Sequence, residues 1–253
     1  MAASTTMPLV AALSDIGLRR KENQDSYGHF RGEGPAAAKG HLVVVADGMG
    51  GHQGGGVASR LAVDTIVGVY RDAPAGSPTD ILHQAFEQAS HRIFETAQQR
   101  PDLASMGTTC TALVFADNRV HVVHVGDTRA YLIRDAKIQR LTADQTWVQA
   151  MAAQGVITSH EAEQHPDRNI LMQALGTPNP PRPSSLAEPL PTRANDMFLL
   201  CTDGLSGLVS DEELLELALA DSDPQQACAR LVELAKARGG DDNITVVLMK
   251  IPA

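Results

Sequence analysis

Five aspartates stand where the sequence could do chemistry. Asp47 closes the apolar run "LVVVAD", Asp127 closes "VVHVGD", Asp203 closes "FLLCTD", and Asp242 sits just ahead of "NITVVLM" in "GGDDN". The fifth, Asp25 in "RRKENQDSYG", precedes a short aromatic run. Taken singly, each Asp-Gly or Gly-Asp is an ordinary turn dipeptide. Together they mean more, because a charge held at the edge of an apolar strand is costly unless it is paired or bound to a cation. Several strands ending this way in one sheet system would bring like charges to one rim, and these repel until cations neutralise them. No thiolate or imidazole clusters with them. The donors would be oxygen only, which selects hard magnesium or manganese over zinc or copper. The sequence has no EF-hand loop of alternating acidic ligands, which argues against calcium.

The elements that must position these carboxylates are read from periodicity. Short runs rich in Val, Ile, Leu and Thr occur at 9–15, 41–47, 108–116, 119–127, 129–135, 197–203 and 243–251, and predict strands. The runs at 108–116 and 119–125, split by "DN", predict an antiparallel hairpin. Helical spacing appears over 55–71, 78–99, 211–219 and 223–237. The last has Asp223 as N-cap, Pro224 at the first helical position and Gly239 beyond its end. Antiparallel strand groups with few, long helices predict an α+β class with helices layered over sheets. The proline-rich stretch 177–191 reads as an ordered loop, because the residues after it are too few for a separate core. One domain is expected over 1–253.

Composition excludes several classes. The 253 residues carry a formal charge of −9, and their longest basic cluster is "LRRK" at 18–21; a nucleic-acid surface would show a basic stripe. Cys110, Cys201 and Cys228 are odd in number and widely spaced, which gives neither a disulfide framework nor a thiolate zinc site. Six residues beyond them lie Ala116, Gly207 and Leu234, so the Arg that a thiol phosphatase loop needs is missing. Ser14, Ser105 and Thr128 have no His/Asp partner pattern for nucleophilic catalysis. No signal peptide or membrane span is read, and the expectation is a soluble cytoplasmic monomer.

In order, "GLRRKENQDS", "ADGMGGHQGG", "MGTTCTAL", "HVGDTRAYL", "LTADQTW", "EAEQHPDRNILMQALG", "LLCTDGLSGLVSDEEL" and "GGDDNITVVLM" resemble the successive motifs of the metal-dependent (type 2C) protein serine/threonine phosphatases in their short bacterial form. The resemblance runs from about residue 12 to 251. It implies a four-layer α-β-β-α sandwich, two antiparallel sheets flanked by helix pairs, with a two-metal site at one rim and a catalytic core over about 8–252. It further implies that Asp47 bridges two Mn or Mg ions and that the Gly48 carbonyl binds one of them. Asp203 and Asp242 would complete a metal shell, Asp25 would act through water, and Asp127 with Asp203 would bind a third, weaker ion. Arg20 matches the phosphate-holding arginine, with Arg19 one position away. A metal-bridging water or hydroxide would attack phosphorus, and the substrates would be phosphoserine and phosphothreonine proteins, with a bacterial Ser/Thr kinase and its targets as partners.

Three departures from the family pattern stand out. Met49 occupies the position of a histidine proposed as leaving-group acid in many eukaryotic members, with His52 nearby as a substitute. Gln24 replaces a common Glu. Gln145-Thr146 replaces the usual His-Ser at the start of a flap over 145–175, which is expected to tune substrate choice. Two other readings stay open at this point: a catalytically silent phosphoprotein-binding module, and a hydrolase of small phosphate esters.

Overall fold

The computed structural model describes residues 7–50 and 53–252. The strands form two antiparallel sheets. In the first, the order is β1 (Leu9–Asp15), β12 (Ile244–Lys250), β11 (Met197–Cys201), β7 (Arg129–Arg134) and β8 (Lys137–Arg140). In the second it is β10 (Leu190–Pro191), β6 (Arg119–Val125), β5 (Cys110–Ala116), β3 (His41–Met49) and β2 (Asp25–Arg31). Two short strands extend this sheet, β4 (Gly107–Thr108) on β3 and β9 (Ser184–Ser185) on β6.

Alternation along the strands builds three apolar layers. Leu42, Val44 and Ala46 of β3 pack with Ala62, Ile66, Phe86 and Ile93 of α1 (Gly54–Asp72) and α2 (Pro78–Gln99). Val43 and Val45, pointing the other way, meet Phe198, Leu200, Val247 and Met249 of the opposite sheet. The outer face of that sheet, through Leu199, Val246 and Leu248, packs on Leu214, Leu231 and Val232 of α6 (Asp211–Leu219) and α7 (Pro224–Ala237). A strand buried on both faces reads as a continuous apolar run rather than an alternating one, which is why "LVVVA" was legible. The result is the expected four-layer sandwich. Among the described residues, no helix is long and apolar enough to cross a membrane.

The local signals act as the sequence predicts. Asp223 caps α7 through Gln225 N as expected, and Ser77, which the sequence reading did not single out, caps α2 through Asp80 N. Asp117 and Asn118 both take positive φ (49° and 56°) in a two-residue turn that joins β5 to β6, the geometry that matches strand twist. Two expectations need correction. The strand carrying Asp47 does not end there: β3 continues to Met49, exchanging β5 for β4 as its partner. The proline-rich stretch is not all loop, since β9 and β10 dock parts of it on β6.

Between β8 and β11 the chain forms the segment expected as a flap. It holds α3 (Trp147–Ala153) and α4 (Ser159–Gln164), the latter with a capping box formed by Thr158 and Glu161. Its base is closed by a bridge between Thr146 and Leu171.

Candidate metal and phosphate site

The two sheets deliver the aspartates to one rim from opposite sides. Asp25 begins β2 and stands in register opposite Asp47 of β3, both in the second sheet. Asp127 lies in the turn between β6 and β7. Asp203 is the first residue of the short helix α5 (Asp203–Ser206), directly after β11, and Asp242 lies just before β12.

Across the interface, Asp25 is held by two hydroxyls of the other sheet. Thr202 Oγ1 donates to its Oδ2 at 2.9 Å and Thr245 Oγ1 at 2.7 Å. Its Oδ1, like Oδ1 of Asp203, is buried without a hydrogen-bond partner. Leaving such an oxygen unpaired costs about 1–3 kcal/mol, more when it is charged.

The electrostatics follow. Burial, then repulsion from Asp25, Asp203, Asp127 and Asp242, pushes the Asp47 carboxyl well above the usual carboxylate range. Burial raises Asp25 to about 7, against the opposing pull of its two threonine hydroxyls. Burial and the Asp203 charge raise Asp127 to about 8. Asp203 is raised by burial and by Asp242, and a hydrogen bond shared with Asp47 partly offsets this. Four carboxyls thus resist ionising together.

Arg20 supplies positive charge. Its Nη2 donates to Asp242 Oδ2 at 2.6 Å, and this hydrogen bond, aided by the fields of Asp47 and Asp203, raises its pKa. Arg19 points elsewhere, to an exposed ion pair with Asp241, so the rim receives Arg20. A cleft of about 870 Å³ opens on this side, lined by Arg20, Lys21, Gln24, Gly50 and Gln53 among others. A larger cleft of about 1320 Å³ lies between α1, α2 and residues 177–181, away from all five aspartates.

With the side chains so engaged, no three His, Cys, Asp or Glu among the described residues stand gathered as a finished ligand shell. The donor set still suits a hard divalent cation. It is all oxygen, it includes two orphaned buried carboxylate oxygens, and a cation would relieve the repulsion that raises these carboxyls. Gly48 is fixed by packing: any side chain there would collide with the Gly55 backbone at the start of α1 and with the Gln24 carbonyl. His52 lies outside the described residues.

Several supporting residues escaped the sequence reading. Thr202 and Thr245 orient Asp25. Thr108 Oγ1 and Thr109 N both donate to the Asp47 carbonyl, at 2.7 and 2.9 Å. The Asn243 side chain accepts from Gln24 N and donates to the carbonyls of Ile16 and Glu22, which anchors the loop carrying Arg20. The signal that could have found Thr202 and Asn243 is adjacency, since each is the immediate neighbour of a rim aspartate.

The protein phosphatase 2C family pattern matches residues 19–244. The chain belongs to the protein phosphatase 2C family. It is 41% identical over 251 residues to the serine/threonine protein phosphatase PstP of Mycobacterium tuberculosis, covering 99% of this chain and 46% of the relative. The chain therefore spans about half the length of that relative. The serine/threonine phosphatase stp of Listeria innocua is 32% identical over 241 residues, with 94% of this chain and 93% of the relative covered. A crystal structure of the PstP catalytic domain in complex with two manganese ions superposes with a TM-score of 0.82 at 39% identity, covering 97% of this chain and 99% of that one. This phosphatase 2C chain is of the bacterial PstP/Stp type and shares the α+β sandwich of its relatives.

Proposed function

We propose that the chain hydrolyses phosphoserine and phosphothreonine monoesters on proteins, in a reaction that depends on manganese or magnesium. Asp47, Asp203, Asp242 and the Gly48 carbonyl would hold two ions, Asp25 would act on them through water, and Asp127 with Asp203 would serve a third. The observation that carries the reading is the meeting of these carboxyls with one guanidinium at a single rim, fed from both sheets. The two manganese ions of the PstP catalytic-domain structure support the metal and its count, and the names of the curated relatives support a phosphoprotein substrate.

When bound, the ions supply Lewis acidity, which activates water and neutralises charge on the phosphoryl oxygens. The chain's own residues bind, orient and exclude solvent. Arg20 offers parallel N–H groups that can grip two phosphoryl oxygens, and its present partner Asp242 keeps it at the rim. Asp25, clamped through Oδ2 by Thr202 and Thr245, presents Oδ1 as an acceptor of fixed direction. The packed interior between the sheets keeps bulk water from the inner side of the carboxyls, where each interaction is worth more.

The partners in this reading are phosphorylated proteins, including a Ser/Thr kinase and its targets, and the chain works as a cytoplasmic monomer. A panel of pSer, pThr and pTyr peptides, assayed with Mn and again with EDTA, tests it. Metal-dependent release of phosphate from pSer and pThr is expected. Turnover that survives EDTA, or binding of phosphopeptide with no turnover, would overturn it.

A further inference from the structure

The flap and the acidic rim meet at one residue. Gly126, immediately before Asp127, is held on both of its backbone groups by Gln145. The Gln145 side-chain Oε1 accepts from Gly126 N at 2.9 Å, and Gln145 N donates to the Gly126 carbonyl at 2.7 Å. The same residue belongs to the base of the flap. Its carbonyl accepts from Met172 N at 2.8 Å, next to the Trp147 N to Ile170 O hydrogen bond of 2.8 Å and the bridge between Thr146 and Leu171. Its Nε2 also reaches Ser184 Oγ, at 3.4 Å.

The corner that Gln145 grips is tightly built. Gly126 is buried with φ +102°, and a side chain on it would run into Thr109. Thr109 N in turn donates to the Asp47 carbonyl. A continuous set of contacts therefore runs from the flap base through Gln145 and Gly126 to the backbone of both Asp127 and Asp47.

We propose that Gln145 is a positioning residue that latches the base of the flap to the Gly126–Asp127 corner, so that the placement of the Asp127 carboxylate follows the conformation of the flap. The inference rests on the reading of this rim as the phosphatase site. A buried amide has no second acceptor waiting when its partner is removed, so losing Oε1 loosens the corner rather than rearranging it. A glutamine performs this through an uncharged acceptor, which adds no negative charge beside carboxyls that already repel.

Two substitutions separate the latch from simple packing. Gln145→Met keeps the length and volume of the side chain but removes the acceptor, whereas Gln145→Glu keeps an acceptor oxygen in place. In the intact chain treated with EDTA, Gln145→Met should speed hydrogen exchange at Gly126 and Met172 together by about tenfold, the consequence of one lost hydrogen bond. Gln145→Glu should restore most of the protection at Gly126. With Mn and a pThr peptide, Gln145→Met should lower kcat by about tenfold while KM stays within about twofold, as expected of a residue acting through Asp127 rather than on the substrate. Unchanged exchange in Gln145→Met, loosening of Gly126 with Met172 still protected, or a Gln145→Glu variant no better than Gln145→Met would each overturn the latch. The exchange measurement needs no turnover, so it decides the latch even if the phosphatase reading fails.

Discussion

Removing metal should make this protein less stable as the solution turns alkaline, and the rim sets the size of the effect. A carboxyl whose pKa is higher in the folded than in the unfolded chain keeps its proton longer in the fold. Its stabilising share is complete below about pH 4 and is lost as pH rises through the folded value. Asp25, raised to about 7, and Asp127, raised to about 8, are such groups, and Asp47 and Asp203 shift in the same direction. The buried imidazoles work against them at lower pH. Burial pushes His41 and His124 down to about 4, so they favour folding as pH rises towards 6.5 and contribute little above 7. The interval from pH 7 to 8 therefore belongs to the carboxyls. At about 1.4 kcal/mol per pH unit per proton retained, Asp127 alone removes about 1 kcal/mol across it, and Asp25 a few tenths more. For a chain of this size that is a fall of about 2–4 °C in the unfolding midpoint. Thermal unfolding of EDTA-treated protein at pH 7, 7.5 and 8 measures it, with Asp127→Asn giving a shallower slope. Added Mn should reverse the trend, because binding requires ionised ligands and its stabilisation grows with pH. A midpoint that is flat or rises from pH 7 to 8 without metal, or an Asp127→Asn slope equal to that of the parent, would refute the reasoning.

Other substitutions test other parts of the site and scaffold. Asp203→Asn should abolish Mn-dependent phosphate release from a pThr peptide while leaving the EDTA-treated midpoint unchanged or higher, since it removes one charge from a crowded rim; retained turnover would mean the ligand set is misassigned. Arg20→Ala should raise KM for phosphopeptides by about tenfold or more, the worth of a charge-assisted hydrogen bond. It should shift urea unfolding by less than about 1 kcal/mol, because the pair with Asp242 is substantially exposed. Away from the rim, Asp196 is 1% exposed and takes hydrogen bonds from Arg134 Nε and Nη2 and from Arg193 N. Asp196→Ala removes the acceptor of these three hydrogen bonds, while Arg134 Nη2 keeps its bond to the Pro191 carbonyl, and should cost about 1–3 kcal/mol in chemical denaturation.

Much of the scaffold was legible because the elements that build it are buried on both faces or carry their own caps. The runs "LVVVA", "FLLC" and "ITVVLM" have no alternation to confuse, and Pro224 after Asp223 marks a helix start to the residue. What escaped notice depends on partners distant in sequence. Strand β2, "DSYGHFR", mixes polar and apolar residues because it lies at a sheet edge, where Ser26 meets Ser59 of α1 and Tyr27 is partly exposed. The flap helices are short and make few apolar contacts, so their periodicity is weak. Hydropathy stops at Asp47, whereas the backbone pairing goes on to Met49 with β4, which no local pattern announces. Arg19 and Arg20 are indistinguishable by type, and what separates them is the loop conformation set by Asn243, more than 220 positions away.

That last dependence explains why the site sits at the seam between the sheets. Asp25 and Asp47 belong to one sheet, Asp203 and Asp242 to the other, and the hydroxyls of Thr202 and Thr245 cross the seam to reach Asp25. These neutral hydrogen bonds fix the spacing of the two sheets at the rim without consuming every carboxylate oxygen. One such opposition exists here, Asp25 across from Asp47, and a site confined to one sheet would have multiplied it, each directly opposed pair of aspartates destabilising the ladder. Dividing them between two sheets lets the apolar interior pin the carboxyls together while repulsion drives them apart. A cation bound at the rim would then act on both sheets at once. Its binding energy therefore enters the stability of the whole sandwich, and the pH dependence without metal and the reversal by Mn are two readings of that one coupling.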